Sequence, residues 1–259
     1  MKSCLLNNKN TITDRAREMY NDFPFGNFSY GKKREKYESL LFKLLRESGK
    51  KHKLFDIGCG AGYWLNVYIR EGIPKENITA VDLAPNNIEN LKKKGFNAVC
   101  ASVLCLPFEN NVSDLTVCNG VIHHTEDPLK AFSELVRITK SGGYIYLKVY
   151  NIWNPYFYIV HRAMLPVRYF YWHISKKIFD WVYPLSAILF QPLALLAFGE
   201  FLDNETGKAI LMDQVFTPRA DLFSKGKILS YAKKYNCEVI EFEYDRCFIM
   251  IGAVIKVKG

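Results

Sequence analysis

Apolar and polar positions follow two alternating patterns along the first 150 residues. Short apolar runs that end in a polar residue or a turn are typical of buried strands; they end at Ile57 and Asp82 or span 97–100, 114–119 and 144–150. Runs with a helical period lie between them, at 85–94 and from Leu129 to Ile138. Because strands and helices alternate, the pattern predicts an α/β fold with a doubly wound, mostly parallel sheet.

The remaining segments complete a division into four parts. A helix at 225–235 and strands at 238–243 and 248–257 predict a closing hairpin, which brings the sheet to seven strands. We therefore expect an N-terminal helical cap or lid (1–50), a Rossmann-like core (51–150), a helical, aromatic-rich insertion after the fifth strand (151–218) and a closing helix and β-hairpin of the core (219–259).

A glycine-rich turn follows the first strand. Gly58, Gly60 and Gly62 have G-x-G-x-G spacing, whereas the dinucleotide fingerprint needs its third glycine where Tyr63 stands. No Lys-Ser/Thr pair follows, which excludes a nucleoside-triphosphate P-loop. Since glycine has no Cβ, this loop still allows the backbone to approach a ligand closely.

Two acids end the first two strands. Asp56 suits a positively charged ligand, such as an amino-acid ammonium, and is unsuited to a pyrophosphate. Asp82 is placed to accept hydrogen bonds from both ribose hydroxyls, as in nucleotide-binding α/β folds. The alternative is a tight β–α turn with a purely structural acid.

Further motifs follow at regular spacing: Leu106-Pro107-Phe108 and, after the fourth strand, His123-His124. With them, residues 54–150 resemble the class I S-adenosylmethionine-dependent methyltransferases, especially the type 11 group. The resemblance implies S-adenosyl-L-methionine as the cofactor. It implies that the glycine loop and Asp56 hold its methionine part, Asp82 its ribose, and Asn119 with Gly120 its sulfur side.

One position departs from the family pattern. Many relatives have an acid near the adenine amino group, four residues before the leucine of L-P-F, and here that position is Ser102. We expect the backbone around Val103 to contact adenine instead. The predicted cofactor contacts are Asp56, Gly58, Cys59, Gly60, Gly62, Asp82, Leu83, Ser102, Val103, Asn119 and Gly120.

The histidine pair supplies the catalytic candidates. An imidazole titrates near pH 6.5, which suits proton acceptance from a hydroxyl, so we predict His124, and after it His123, as general base. Alternatively, one ring only hydrogen-bonds the loop. Tyr150, Asn151 and Asp213 are candidate substrate contacts, although Tyr150 is equally suited to packing. No metal site is expected, because adjacent histidines should point apart and no acid cluster lies beside them.

The insertion is the least ordinary part of the chain. Its residues from Trp181 to Phe198 include no charge, which reaches the lower limit for a membrane span, but Pro184 and Pro192 divide the run. Three interpretations stay open: a lid over the site, an interfacial patch flanked by basic residues, or a homodimer contact. The segment 20–26 either folds over the cofactor, with hinges at Gly26 and Gly31, or forms an ordered tail.

The net charge and the cysteine content limit the possible partners and the cellular compartment. The net charge of +9 implies an anionic partner, although the lysine runs are also consistent with solvated surfaces. Seven cysteines without C-x-x-C spacing, and no evident signal peptide, favour a cytoplasmic protein without disulfides or zinc, with peripheral contact to the inner membrane face left open.

Three functions compete. The favoured one is methyl transfer to a small or lipid-like acceptor at oxygen, because the aromatic insertion offers an apolar surface. The alternative is an RNA methyltransferase acting on the tRNA wobble uridine; nucleic acid is less favoured because an RNA surface should cluster arginines with exposed aromatics. A non-catalytic partner subunit is the third, and the intact glycine loop argues against it.

Overall fold

The computed structural model describes residues 11–23, 35, 38–47, 52–154, 162–184, 203–245 and 249–259. Its centre is one seven-stranded sheet with strand order β3-β2-β1-β4-β5-β7-β6. The strands are β1 (Leu54–Ile57), β2 (Ile78–Asp82), β3 (Asn97–Cys100), β4 (Ser113–Asn119), β5 (Thr139–Tyr150), β6 (Cys237–Tyr244) and β7 (Met250–Val257). Only β7 runs antiparallel to its neighbours β5 and β6. The predicted doubly wound, mostly parallel sheet is confirmed.

Helices cover both faces of this sheet. They are α1 (Ile12–Asp22), α2 (Ser39–Glu47), α3 (Tyr63–Arg70), α4 (Pro85–Lys93), α5 (Pro128–Ile138), α6 (Leu165–His173), α7 (Asn204–Leu211) and α8 (Lys225–Lys234). One apolar cluster joins α5 and α8 to strand residues such as Ile57. A second joins α2, α3 and α4 to strand residues such as Leu54. Because successive side chains of a strand point to opposite faces, the two clusters are two helical layers.

The expected strand 144–150 pairs regularly with β4 and β7 from Tyr144 onward, and β5 extends it back to Thr139. The Thr139 hydroxyl binds both the Leu135 carbonyl and the Thr116 hydroxyl at 2.7 Å, where α5 passes directly into the strand. The expected absence of disulfides is wrong, because Cys105 is disulfide-bonded. Cys59, Cys100, Cys118 and Cys237 are free thiols.

The described part of the insertion packs on the N-terminal helix. A third apolar cluster joins Met19 of α1 to Tyr171, Phe179 and Phe216. Residues 212–216 form a π-helix whose Val215 and Phe216 carbonyls accept hydrogen bonds from Arg168 Nε at 2.9 Å and Trp172 Nε1 at 2.7 Å. Most of the uncharged run 181–198, and the hinges proposed at Gly26 and Gly31, lie outside the described residues. Within the described ranges, no helix is both long and apolar enough to cross a membrane.

Candidate active site

The glycine edge, which we define as residues 56–62 together with Asp82, is closed by backbone hydrogen bonds. The amides of Gly58 and Cys59 both donate to the Val81 carbonyl, at 2.7 and 3.0 Å. Gly58, Gly60 and Gly62 have φ of 80°, 53° and 88°, where residues with a Cβ are strained. A Cβ at Gly58 would lie 2.2 Å from a Val121 methyl group. The turn therefore needs glycine for its own shape as well as for ligand approach.

Asp82 organises this edge. Its Oδ2 accepts the Gly60 amide at 2.8 Å, and its Oδ1 accepts the Ala84 amide at 2.9 Å and the Asn87 side chain at 3.2 Å. Burial raises the pKa of Asp82, while these donors partly oppose the shift. The Leu83 backbone amide is a further donor to this carboxylate. The predicted contact of Asp82 with both ribose hydroxyls stays a prediction.

Asp56 lies at the end of the neighbouring strand and is 2% exposed. Its Oδ2 is buried and has no hydrogen-bond partner, and the same is true of Oδ1 of Asn119 at the end of β4. Burial raises the pKa of Asp56 to about 7, the nearby Tyr68 hydroxyl opposes this, and the charge of Asp82 adds to it. Asp56 thus has the Tyr68 hydroxyl as a neighbouring donor, and a bound cation would supply a further donor to Asp56 and to Asn119.

The other predicted contacts surround the edge. Ser102 accepts the Leu104 amide at 3.2 Å in the turn after β3, and Val103 is buried in the core with 7% exposure. Cys59 is buried, which raises the pKa of its thiol well above the usual value and keeps it protonated. Leu83 follows Asp82, and its carbonyl accepts from the Cys100 thiol at 3.6 Å. Gly120 continues β4 with φ of 83° and donates to the Lys148 carbonyl at 2.9 Å.

A second group of polar side chains meets beyond the ends of β4 and β5. We call Tyr20, His123, His124, Tyr150 and Asp213 the histidine cluster. The His124 ring is 5% exposed, and its Nδ1 lies 2.8 Å from the Arg219 carbonyl. Since a carbonyl only accepts, Nδ1 carries the proton of the neutral ring. Nε2 is then the basic nitrogen, and it lies 3.5 Å from Asp213 Oδ1.

Asp213 receives two phenols. The Tyr20 hydroxyl donates to its Oδ1 at 2.9 Å, and the Tyr150 hydroxyl donates to its Oδ2. Burial, and then the charge of Asp213, raise the pKa of Tyr20 well above its usual value, and Asp82 adds a weaker contribution. The pKa of the Tyr20 phenol therefore depends on a carboxylate of the histidine cluster and on a carboxylate of the glycine edge.

His123 packs on its neighbours with aromatic geometry. Its ring centroid lies 4.1 Å from those of both His124 and Tyr150. The expectation that the adjacent histidines point apart is wrong, because the 3₁₀ turn Ile122–His124 brings both rings against Tyr150. Asn151 is buried, and its Oδ1 accepts the Trp153 amide at 3.2 Å within a turn. Among the described residues, no group of three or more His, Cys, Asp or Glu side chains could hold a metal ion.

Several residues in or beside the histidine cluster were not predicted as individual site residues. Thr217 lies with its hydroxyl 3.1 Å from His124 Nδ1, and Arg219 supplies the carbonyl that fixes the ring. Asp221 donates its amide to the His123 carbonyl at 2.7 Å, which ties this segment to the end of β4. The only indication for Tyr20 was the hypothesis that segment 20–26 folds over the cofactor. For Thr217 and Arg219 the only signal was the family resemblance, which implies that the segment 213–219 lies near the substrate mouth.

Comparison with known proteins identifies the domain. A protein-family model described as "Methyltransferase domain" matches residues 55–147. An uncharacterized protein of Methanocaldococcus jannaschii is 35% identical over 114 residues, which cover 44% of this chain and 47% of that protein. Malonyl-(acyl-carrier protein) O-methyltransferase of Hahella chejuensis is 32% identical over 117 residues, covering 44% and 41%. The chain thus spans less than half of the length of these curated relatives.

Solved structures agree on the fold. A protein of Pyrococcus horikoshii aligns with a TM-score of 0.57 at 17% identity, covering 93% of this chain and 99% of that one. A chain of the Haloferax volcanii complex that contains the Trm112 methyltransferase activator aligns with a TM-score of 0.56 at 14% identity, covering 94% and 98%. At these identities the likeness shows the fold alone.

Fold, glycine edge and domain match together define a Rossmann-like methyltransferase domain. The match over residues 55–147 supports a class I S-adenosyl-L-methionine-dependent methyltransferase domain in this part of the chain. S-adenosyl-L-methionine is the cofactor that this family implies. The residues of the glycine edge fit it, because the cofactor carries an ammonium that the unpartnered Oδ2 of Asp56 would accept and a ribose that Asp82 would hold.

Proposed function

We propose that the protein transfers a methyl group from S-adenosyl-L-methionine to an oxygen atom of a small or lipid-like acceptor, with His124 as general base. The observation that carries this proposal is the His124–Asp213 pair. Nδ1 of the ring is held by the Arg219 carbonyl, so Nε2 is the free base, and Asp213 lies 3.5 Å from it. When Nε2 takes a proton, the carboxylate stabilises the resulting imidazolium.

The acceptor position follows from Tyr20. Its hydroxyl donates to Asp213 Oδ1, and its ring stands edge-on to His124 at 6.3 Å. We place the acceptor hydroxyl where this phenol lies, so that binding of the acceptor displaces Tyr20 from Asp213. The hydroxyl then donates to His124 Nε2. The cofactor supplies an electrophilic methyl group on a sulfonium, and the chain aligns the acceptor oxygen with it and accepts its proton.

An apolar acceptor is supported by the surroundings of the cluster. α1, the insertion and the π-helix share one apolar cluster directly behind Tyr20 and Asp213, which favours the lid interpretation for the described part of the insertion. Trp153 and Trp181 are 76% and 79% exposed, and the net charge is +9. We propose a cytoplasmic protein whose exposed aromatics contact the inner membrane face. Hahella chejuensis malonyl-(acyl-carrier protein) O-methyltransferase, by name, also methylates oxygen.

The test is transfer of labelled methyl from the cofactor to a total cell extract, followed by partition between organic and aqueous phases. We expect label in the organic phase with the wild-type chain, and a loss of at least about a hundredfold with His124→Gln. His52→Gln, at an exposed histidine, is the matched control and should transfer normally. Nuclease-sensitive label in the aqueous phase would replace this proposal with the RNA alternative, and nuclease-resistant aqueous label would exclude a lipid-like acceptor.

A further inference from the structure

Four buried side chains and the partly buried Asn119 form a polar network behind the glycine edge. We call Glu38, Asn119, Tyr146, Lys148 and Glu243 the Glu38 network. Lys148 Nζ donates to Glu38 Oε1 at 2.7 Å, and the two side chains are 2% and 1% exposed. The Tyr146 hydroxyl donates to Glu38 Oε2 and lies 2.7 Å from Glu243 Oε1.

The fold holds Glu38 in place from several elements. Glu243 caps the N-terminus of α2, because its Oε2 accepts the Ser39 hydroxyl at 2.8 Å and the Leu40 amide at 2.9 Å. Glu38 immediately precedes that helix. Lys148 stands opposite Asn119 on β4 and opposite Gly252 on β7. A Cβ at Gly252 would lie 2.9 Å from Glu243 Cγ, so a residue larger than glycine at this position would clash with the Glu243 side chain.

The network reaches the glycine edge through Asn119. The Asn119 Nδ2 donates to Glu38 Oε1 at 3.5 Å. A carboxylate paired with a lysine only accepts hydrogen bonds, so the NH₂ of Asn119 must face Glu38 and its Oδ1 must face away. That Oδ1 is buried without a partner, as is Oδ2 of Asp56 on the adjacent strand. Two acceptors at the carboxyl ends of adjacent strands suit a cation with several N–H groups.

We infer that Glu38 is a positioning residue for cofactor binding: it orients the Asn119 amide so that Oδ1, with Asp56, accepts the ammonium of the cofactor's methionine part. This inference rests on the assignment of the glycine edge as the cofactor site. It moves Asn119 from the sulfur side, where the family resemblance put it, to the ammonium. A buried ion pair contributes little net stability, so an orienting role accounts for a charged pair at this position better than stability does.

Two ligands separate this role from a structural one. S-adenosylhomocysteine carries the amino-acid part, and 5′-methylthioadenosine lacks it. With the full chain, calorimetry should show that Glu38→Gln weakens S-adenosylhomocysteine binding about tenfold and leaves 5′-methylthioadenosine binding within about twofold. Glu241→Gln is the matched control: this carboxylate is about half exposed and pairs with Lys43 at 3.3 Å, and neither affinity should change. An equal loss for both ligands with Glu38→Gln would overturn the inference.

A double-mutant cycle tests whether Glu38 acts through Asn119. Asn119→Ala alone should show the same selective loss, and Glu38→Gln should add almost nothing in the Asn119→Ala background. Additive losses would show that Glu38 acts by another route. Asn119→Ala trims one partly buried side chain, so it tests the ammonium contact even if Glu38→Gln does not fold, and an unselective Asn119→Ala would contradict it. A wild-type chain that binds neither ligand would instead overturn the cofactor site itself.

Discussion

The glycine edge and the histidine cluster differ in how their residues are brought together. The glycine edge spans residues 56–62 with Asp82, and backbone amides hold it closed. The histidine cluster joins residues as far apart as Tyr20 and Asp213, which are separated by 193 positions, and side chains hold it together. A site made of neighbouring residues is fixed as soon as one β–α–β unit folds, whereas the second needs α1 and the insertion in place.

The two regions also differ in electrostatics. The glycine edge buries Asp56 and Asp82 near each other, and each raises the pKa of buried groups around it. The histidine cluster has one carboxylate that already accepts two phenols and faces an imidazole. The two carboxylates of the glycine edge suit the binding of a cation, whereas the imidazole of the histidine cluster can accept a proton. This contrast predicts that substitutions in one region change binding and those in the other change turnover.

The largest expected effect is on binding at the glycine edge. Asp82→Ala removes the acceptor of the Gly60 and Ala84 amides and of the predicted ribose hydroxyls, so we expect about a hundredfold weaker S-adenosylhomocysteine binding by calorimetry. Glu89→Ala, on the surface of the following helix, is the control and should bind normally. Unchanged affinity of Asp82→Ala would remove Asp82 from the cofactor site.

Asp213→Asn should separate turnover from binding. It keeps the shape of the side chain but removes the charge that faces His124 Nε2, so we expect kcat to fall between about tenfold and a hundredfold. S-adenosylhomocysteine affinity should stay within about twofold. Asp180→Asn, at an exposed acid of the insertion, serves as the control. If the affinity for S-adenosylhomocysteine fell by the same factor as kcat, the separation of binding and turnover between the two regions would be contradicted.

We expect the pH dependence of S-adenosylhomocysteine binding to arise from Asp56 in the glycine edge. Burial raises the pKa of Asp56 to about 7, and an ammonium binds the carboxylate rather than the neutral carboxyl. S-adenosylhomocysteine affinity should therefore fall as pH decreases from 8 through 7, and at pH 6 it should be about a tenth of its value at pH 8. Affinity for 5′-methylthioadenosine should lack this step, since it has no ammonium. Asp56→Asn should abolish the step, and a step that persists in this variant must come from another group.

The same pKa shift has the opposite sign for folding. An unfolded aspartate ionises near pH 3.9, so the folded chain holds its Asp56 proton to higher pH than the unfolded chain does. Asp56 therefore destabilises the ligand-free fold progressively as pH rises from about 4 to about 7. Thermal unfolding should show a Tm that falls over this range more in the wild type than in Asp56→Asn.

The smallest expected effect lies outside both regions. Trp153 and Trp181 are 76% and 79% exposed, and replacing both by Ser should reduce sedimentation with anionic liposomes several-fold. Ile240→Ser, at a half-exposed position of β6, is the control. A wild-type chain that does not sediment with such liposomes would exclude membrane contact and leave the lid and the dimer as interpretations of the insertion.

How much the sequence could predict follows the same division. The sheet and the glycine turn were predictable because each depends on short-range patterns, such as the apolar run before Gly58 and the helix after it. Tyr20 and Glu38 could not be assigned, because their roles depend on partners at Asp213 and Lys148 that only the tertiary fold brings near. The contact between His124 and Arg219 could not be predicted for the same reason. Arg219 contributes its backbone carbonyl, and a side-chain motif carries no information about that group.

The most direct test of both regions together is a crystal structure of the full chain with S-adenosylhomocysteine. We predict the ribose on Asp82, the ammonium between Asp56 and Asn119 Oδ1, and the sulfur directed toward His124. A ligand bound elsewhere, or with its sulfur turned away from the histidine cluster, would contradict the division into a binding edge and a catalytic cluster.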